Sequence, residues 1–147
     1  MVQGMPITGV LIDKDSPVIK AVTIKDCLED YYRVLDCDTI EHTYRVIGGV
    51  EYDLICDEEG GPMLDPDAVC TAIDSERRKQ IFGNIFIVLG NDETGEWESL
   101  TDEDVENILH HAYLYRDDEG TIRPLIQMDG PYGMGAPAEA DAEAEAD

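Results

Sequence analysis

The chain has 147 residues, and its 34 acidic against 10 basic residues give a net charge of −24 at pH 7. This length suits one domain with a modest hydrophobic core. Such a negative surface argues against direct binding to nucleic acid or to anionic membranes, so we expect a partner that presents a basic surface. We expect no transmembrane helix, which needs about 18 apolar residues in a row, and no secretory signal.

The cysteines indicate the compartment. None of the four, Cys27, Cys37, Cys56 and Cys70, belongs to a C-x-x-C pair. Separate thiols in a chain with no visible signal are typical of a reducing environment, so we expect a cytoplasmic protein. No cysteine or histidine pair has the spacing of zinc ligands, and we expect neither a metal nor a cofactor.

The first part of the chain predicts a hairpin and then a helix. Residues 7–12 and 18–24 are rich in β-formers and are separated by the turn sequence DKDSP. Residues 25–35 change to helical spacing. The apolar face of this helix consists of Leu28, Tyr31, Tyr32 and Leu35.

Residues 40–57 predict a second hairpin, with two adjacent glycines between its alternating runs. A two-residue turn would pair Ile47 with Val50 and would set Tyr44 opposite Asp53. That register mixes apolar and polar side chains on each face, which disfavours it if one face is buried and the other wet.

A three-residue loop over residues 47–49 separates the two faces better. It pairs Tyr44 with Tyr52 on the apolar face and sets Arg45 opposite Glu51 on the wet face. Loops of this length need a glycine in the left-handed conformation, which the second glycine supplies. We therefore predict the three-residue loop.

Two further segments differ in how clearly they predict structure. Residues 85–89 are all apolar and predict a central strand covered on both faces. Residues 63–72 are ambiguous, because Asp65 and Pro66 can begin a short helix as its N-cap and first residue.

Residues 101–112 predict the clearest helix, with Thr101 as its N-cap and three acids in its first turn. Its apolar stripe consists of Val105, Ile108, Leu109 and Ala112. Residues 121–128 predict a last strand, and Pro124 confines it to a sheet edge. Residues 130–147 consist mainly of Gly, Pro, Ala and acids, so we expect a disordered acidic tail.

These elements predict an α+β fold, in which a mainly antiparallel sheet of about five strands carries two packed helices. We assign residues 1–129 to a single domain and residues 130–147 to the tail.

No segment carries a catalytic motif, and we expect no enzyme and no catalytic residues. The chain has no P-loop, no G-x-S-x-G and no cysteine with an evident histidine partner. We interpret His42 as a packed strand histidine on the inner face. His110 and His111 are adjacent on a helix and point about 100° apart, so they cannot clamp one metal ion.

The candidate partner-binding residues are clustered acids and a tryptophan among them. They are Asp57, Glu58, Glu59, Asp92, Glu93, Glu96, Trp97, Glu98, Asp102, Glu103, Asp104 and Glu106. Carboxylates on a rigid frame can imitate DNA phosphates and enter a basic cleft. The alternative is a solvated acidic surface. Trp97 is either an exposed interface anchor or a cover over the edge of the core.

The run Arg77, Arg78 and Lys79 contains three of the ten basic residues. It can hold a phosphate or an acidic partner. Alternatively, it neutralises acids nearby in the fold.

Several segments resemble one known family. They are the opening GVLIDKDSPVIKAVTI, the tyrosine-bearing first helix, LICDEEG and IFGNIFIVLGND. Over about residues 7–109 the chain resembles a small family common in bacteriophages and plasmids, domain of unknown function 3846. The resemblance implies a cytoplasmic protein of a mobile element and supplies no activity. In that context short acidic proteins often inhibit host defence nucleases.

The leading hypothesis is therefore a non-enzymatic inhibitor of the anti-CRISPR or anti-restriction type. It would bind the basic surface of a nucleic-acid-binding host protein. The alternative is an accessory protein that binds a phage or plasmid partner through Trp97 and the Arg77 cluster. A third hypothesis, an enzyme on small substrates, needs a deep pocket with converging polar groups. The oligomeric state stays open.

Overall fold

The computed structural model describes residues 4–129, so the predicted tail lies outside the described residues. The helices are α1 (Leu28–Leu35) and α2 (Asp102–His110). The strands are β1 (Pro6–Ile12), β2 (Lys20–Lys25), β3 (Ile40–Ile47), β4 (Val50–Asp57), β5 (Cys70–Ile73), β6 (Lys79–Phe82), β7 (Ile85–Gly90), β8 (Trp97–Glu98), β9 (Ala112–Arg116) and β10 (Ile122–Gln127).

The strands form two sheets. The first has the order β2-β1-β7-β4-β3 with β8 added to β7, and all its pairs are antiparallel. The second has the order β6-β5-β10-β9, in which β5 and β10 are parallel. The α+β class with mainly antiparallel pairing is confirmed. The predicted number of about five strands is wrong, because residues 4–129 form two sheets of six and four strands.

The second sheet was missed because its strands come from segments without a clear strand pattern. Residues 63–69 form turns rather than a helix, and Asp65 accepts the backbone N–H of Asp67 at 2.9 Å. Ala112, predicted to end the helix stripe, is instead the first residue of β9. Short strands of this kind depend on distant partners, as the pairing of Ala72 with Ile126 shows.

The first sheet is covered on both faces, as β7 illustrates. Ile85 and Ile87 pack into a core between the two sheets that also takes Ile108 of α2. Phe86 and Val88 pack into a second core beneath α1. The prediction of a central strand covered on both faces is thus confirmed.

The β3–β4 hairpin has the two-residue turn, so the predicted three-residue loop is wrong. Ile47 pairs with Val50, and both glycines of the turn are left-handed, with φ of 58° at Gly48 and 83° at Gly49. Two consecutive left-handed residues match the twist of a hairpin, which glycines allow at little cost.

The prediction failed because it assumed one wet face. Leu54 and Ile55 are both fully buried although they point to opposite faces of β4. The register sets Arg45 opposite Tyr52 rather than opposite Glu51. Arg45 therefore lies on the face of the sheet that meets the second sheet.

The two helices begin and end differently. Thr101 is the predicted N-cap of α2 and forms a capping box with Asp104. Helix α1 begins after Cys27 without a side-chain cap and ends at Asp36 in the left-handed conformation. Within the described residues, neither helix has the length and apolar character needed to cross a membrane.

Candidate functional site

The predicted acidic residues separate to opposite ends of the first sheet. Strands β4 and β7 are antiparallel, with Cys56 opposite Ile85. Asp57 ends β4 at one end of the sheet and residues 58–59 follow it, whereas residues 92–98 follow Gly90 at the other end. The structure therefore does not join all of these acids into one surface.

The helix α2 brings further acids to the end of the sheet near Gly90. The backbone N–H of Leu100 donates to the Thr8 carbonyl, and the Thr8 N–H donates to the Ser99 hydroxyl, each at 2.9 Å. These bonds hold the start of α2 against β1. We call the following exposed residues the acidic end: Asp92, Glu93, Asp102, Glu103 and Glu106. No ion pair in the described part of the chain includes them.

Other predicted acids at this end stabilise local structure. The Asp104 carboxylate accepts the N–H and hydroxyl of Thr101 at 3.0 and 2.8 Å, and it also accepts the Tyr52 hydroxyl at 3.1 Å. Glu98 is exposed and accepts the Asn91 amide at 2.8 Å. The Asp104 carboxylate therefore stabilises the start of α2, and the Glu98 carboxylate stabilises the loop that begins at Asn91.

The acids at the opposite end form a turn. Asp57 accepts the backbone N–H of Glu59 at 2.8 Å, in the manner of an Asx turn. Glu58 and Glu59 are exposed there. Their position separates them from the acidic end by the length of the sheet.

Trp97 covers the edge of the core and is not an exposed anchor. Its indole N–H donates to Asp53 at 2.7 Å, and its ring packs edge-on against Tyr31 and His42, with centroids 5.1 and 5.5 Å apart. Trp97 and Glu96 are both half-buried. These contacts favour the second of the two alternatives for Trp97, a cover over the edge of the core.

His42 is not packed inside, contrary to the prediction. Its side chain is 47% exposed, and its Nδ1 lies 2.9 Å from Asp53, whose side chain is only 1% exposed. A buried carboxylate that orients an imidazole is an arrangement that general bases use. Asp53 is the only hydrogen-bond partner of His42 in the described chain, so no hydroxyl or thiol nucleophile is aligned with it.

The charge of Asp53 also acts on a neighbouring tyrosine. It raises the pKa of Tyr44, whose ring packs edge-on against His42.

The other two histidines face different backbone carbonyls. The Nδ1 of His110 lies 3.1 Å from the Glu106 carbonyl, and that of His111 lies 2.8 Å from the Asn107 carbonyl. The part of the chain that the structure describes contains no group of three or more His, Cys, Asp or Glu arranged to hold a metal ion.

The basic triplet divides between two roles. Arg78 neutralises acids nearby, since its Nε lies 2.9 Å from Asp74 and 3.8 Å from Glu76. Arg77 is exposed, left-handed with φ of 64°, and has no ion pair among the residues described. Lys79 begins β6.

Arg77 borders a groove on the outer face of the second sheet. This groove of about 540 Å³ is lined by Ala68, Val69, Cys70, Ile73, Arg77, Tyr115, Asp117, Arg123 and Leu125. The Arg123 guanidinium is already paired with Asp15 and Asp117 at 2.9 and 3.1 Å. Arg77 is therefore the cation of this groove whose charge is not neutralised within the described residues.

A second cavity, of about 330 Å³, opens between the edge strands β3 and β6. Its lining consists of Glu41, His42, Thr43, Arg45, Cys56, Asp57, Glu58, Gly61, Gln80, Ile81 and Phe82. Arg45 is only 9% exposed and forms no ion pair within the described chain. Sequence reasoning missed this site because the wrong register placed Arg45 in water.

The hydrogen bonds of Arg45 leave one edge of its guanidinium unused. Nη1 donates to the Thr43 hydroxyl and, at 2.9 Å, to the Tyr44 carbonyl. Nε is buried without a hydrogen-bond partner. Burial lowers the pKa of Arg45, although the nearby Cys56 and Glu41 act in the opposite direction. The preference of two glycines for a two-residue turn was the signal that could have located Arg45.

Comparison with known proteins supplies a family and no relative of known role. The family model described as "Domain of unknown function (DUF3846)" matches residues 7–113. No curated protein matches the chain, and no solved structure matches it.

Proposed function

Because the chain belongs to the family of the domain of unknown function DUF3846, which names no activity, we propose a function from its own surface. The protein acts without catalysis in the cytoplasm, where its acidic end occupies the basic surface of a nucleic-acid-binding protein. The observation that carries this proposal is the set of five exposed carboxylates of the acidic end, which form no ion pairs among the described residues. The contacts of Ser99 and Leu100 with Thr8 hold the start of α2 at this end of the sheet.

The electrostatics favour such a partner. Exposed carboxylates without counter-charges give a protein surface a negative potential, and a basic surface neutralises that potential. The remainder of the chain adds to the same field, since the net charge is −24. A surface that binds DNA phosphates carries the complementary charge, and its association with this protein would fall steeply with salt.

The class of partner is a nuclease or CRISPR effector of a host defence system. This part of the proposal rests on the resemblance stated above, which implies a mobile element. An inhibitor of this kind would compete with the nucleic acid for one basic cleft.

The test is a binding experiment with immobilised protein and a bacterial lysate that contains defence nucleases. The salt concentration is raised from about 50 to 500 mM, and duplex DNA is added in a parallel sample. We expect a nucleic-acid-binding protein, identified by mass spectrometry, to be released by either treatment. Its purified form should then bind the protein with a steep dependence on salt.

Two charge variants with equal net charge separate a specific surface from general acidity. The first neutralises the acidic end: Asp92→Asn, Glu93→Gln, Asp102→Asn, Glu103→Gln and Glu106→Gln. The second neutralises five exposed acids elsewhere: Glu29→Gln, Asp38→Asn, Asp67→Asn, Asp118→Asn and Glu119→Gln. Only the first should lose binding, with both folded by circular dichroism. Equal binding by the two variants would contradict the proposal.

An accessory role through protein–protein contact is the second candidate, and a different observation favours it. Tyr113 and Tyr115 are exposed residues on one face of β9, an edge strand of the second sheet. With Arg77 they line one cavity and offer an apolar surface with one cation. A partner held there would resist salt, because apolar burial does not weaken as ionic strength rises.

A further inference from the structure

We propose that the cavity beside Arg45 binds a small zwitterion, a free α-amino acid or an amino-carboxylate of similar size. The carboxylate of this ligand lies on the Arg45 guanidinium, and its ammonium group lies among the acidic side chains at the mouth. This site is separate from the acidic end, and the inference does not depend on the proposed function.

The first argument is the unpaired charge. A buried arginine normally has a carboxylate partner, because removing a charge from water is costly. Arg45 is 9% exposed, has no ion pair among the described residues, and contains a buried Nε without a partner. A ligand carboxylate would supply the missing counter-charge.

The second argument is the orientation of the guanidinium. The Thr43 hydroxyl and the Tyr44 carbonyl hold Nη1, while Nη2 has no hydrogen bond in the described chain. Nε is enclosed by protein atoms, so a ligand carboxylate in the cavity reaches the guanidinium through Nη2. The fixed Nη1 presents Nη2 without further ordering of the side chain.

The third argument is the charge at the mouth of the cavity. Glu41 and Glu58 are exposed and Asp57 is half-buried; all three line the cavity, and none pairs with Arg45. A dianion such as phosphate would be repelled by these acids, and a simple carboxylate would be repelled more weakly. A zwitterion instead places its positive group where the acids are, which satisfies both ends of the site.

The remaining walls fit a small organic molecule. The volume of about 330 Å³ lies near the lower limit of small-molecule sites, about 300 Å³. Ile81 and Phe82 supply apolar wall, and Gln80 supplies an amide. Burial raises the pKa of Cys56 to about 12, so its thiol stays protonated and does not compete as an anion for Arg45.

The test uses NMR of the full chain, with the Arg45 Nε–H signal as reporter. The probes are glycine, L-leucine, acetate, ethylammonium and inorganic phosphate, each added to about 10 mM, which detects a Kd of about 1 mM. We expect glycine or L-leucine to shift this signal with saturation. Acetate, ethylammonium and phosphate should shift it at least tenfold more weakly.

Two variants and a control test which side chains bind the carboxylate and the ammonium group of the ligand. Arg45→Gln lacks the reporter, so its binding is followed by the backbone amide signals of residues 41–43 and 56, and it should abolish binding of glycine, L-leucine and acetate. Arg116→Gln, which removes an exposed arginine on β9, should leave binding unchanged. Glu41→Gln should weaken binding of the amino acids and strengthen binding of acetate. This opposite response tests the site even if Arg45→Gln does not fold.

Three outcomes would overturn the proposal. The first is that no probe shifts the Arg45 Nε–H signal. The second is that phosphate or acetate binds as tightly as the amino acids. The third is that Glu41→Gln changes the binding of acetate and of the amino acids in the same direction.

Discussion

The indole Nε1 of Trp97 lies 2.7 Å from the Oδ2 of Asp53, a carboxylate that is almost completely buried. The other oxygen of Asp53 lies 2.9 Å from His42 Nδ1. One carboxylate on β4 therefore holds both the strand β8 and the ring of His42. Because both partners are donors, the two contacts depend on the same acceptor.

We first predict that Asp53→Ala strongly destabilises the protein. The substitution leaves the Trp97 indole and the His42 imidazole without an acceptor, so the free energy of unfolding should fall by about 2–4 kcal/mol. Urea unfolding followed by circular dichroism measures this loss, and Trp97 fluorescence should shift to the red. The control is Asp92→Ala, an exposed carboxylate, which should change stability by less than about 0.5 kcal/mol. Equal effects of the two variants would show that the Asp53 contacts contribute little.

The second prediction concerns the two-residue turn. Gly49→Ala should cost about 1 kcal/mol, because alanine is unfavourable at a φ of 83°. Gly48→Ala should cost clearly more, since a Cβ there also collides with Asn107 and His111 of the segment packed on the turn. Gly61→Ala serves as the control, because its Cβ meets open space and its φ is not left-handed. Thermal and urea unfolding should show the largest loss of stability for Gly48→Ala, a smaller loss for Gly49→Ala and the smallest for Gly61→Ala. If Gly48→Ala left stability unchanged, the close packing on the turn would be contradicted.

The third prediction is that stability declines in acid through carboxylates such as Asp117. The backbone N–H of Thr121, and then the Arg123 side chain and the Glu119 N–H, hold the pKa of Asp117 below its usual range. A carboxylate whose folded pKa is below its unfolded value, near 3.9, contributes stability above that value. This contribution disappears as the pH falls through the folded pKa.

Urea unfolding between about pH 2.5 and 7 measures this pH dependence. Asp117→Asn should lower stability at neutral pH and should flatten the decline in acid. Asp118→Asn, which changes its exposed neighbour, should leave the decline as it is. An unchanged pH profile for Asp117→Asn would rule out this contribution.

The fourth prediction concerns the capping box of α2. Thr101→Ala removes the hydroxyl that accepts the Asp104 N–H, and it should lower the free energy of unfolding by about 1 kcal/mol. Thr101→Ser keeps the hydroxyl and should retain most of the stability. Chemical denaturation compares the two variants. If alanine and serine were equivalent, the cap would not contribute to the stability of α2.

Some features of the fold followed directly from local sequence. The run of apolar residues 85–89 predicted a strand covered on both faces, because a strand with a wet face alternates. Thr101 and the acids after it predicted the start of α2, because a helix cap is formed by neighbours in the chain. Composition alone also determined the net negative charge.

The hairpin register and the second sheet depended on distant parts of the chain. The two-residue turn places polar and apolar side chains together on each face of the β3–β4 hairpin. Because both faces of β4 are covered, this register costs less than it would if one face were exposed to water. The strands β5 and β10 are short and pair across more than forty residues, which no local pattern reveals.

The candidate sites show the same division between local and tertiary causes. Clusters of acids were visible in the sequence, but the antiparallel arrangement of β4 and β7 assigned them to opposite ends. Trp97 was present in an acidic loop, and only tertiary packing directed it to Asp53. Composition and short-range spacing are properties of the chain itself, whereas the burial of Arg45 and the position of the acidic end arise from contacts between segments far apart in sequence.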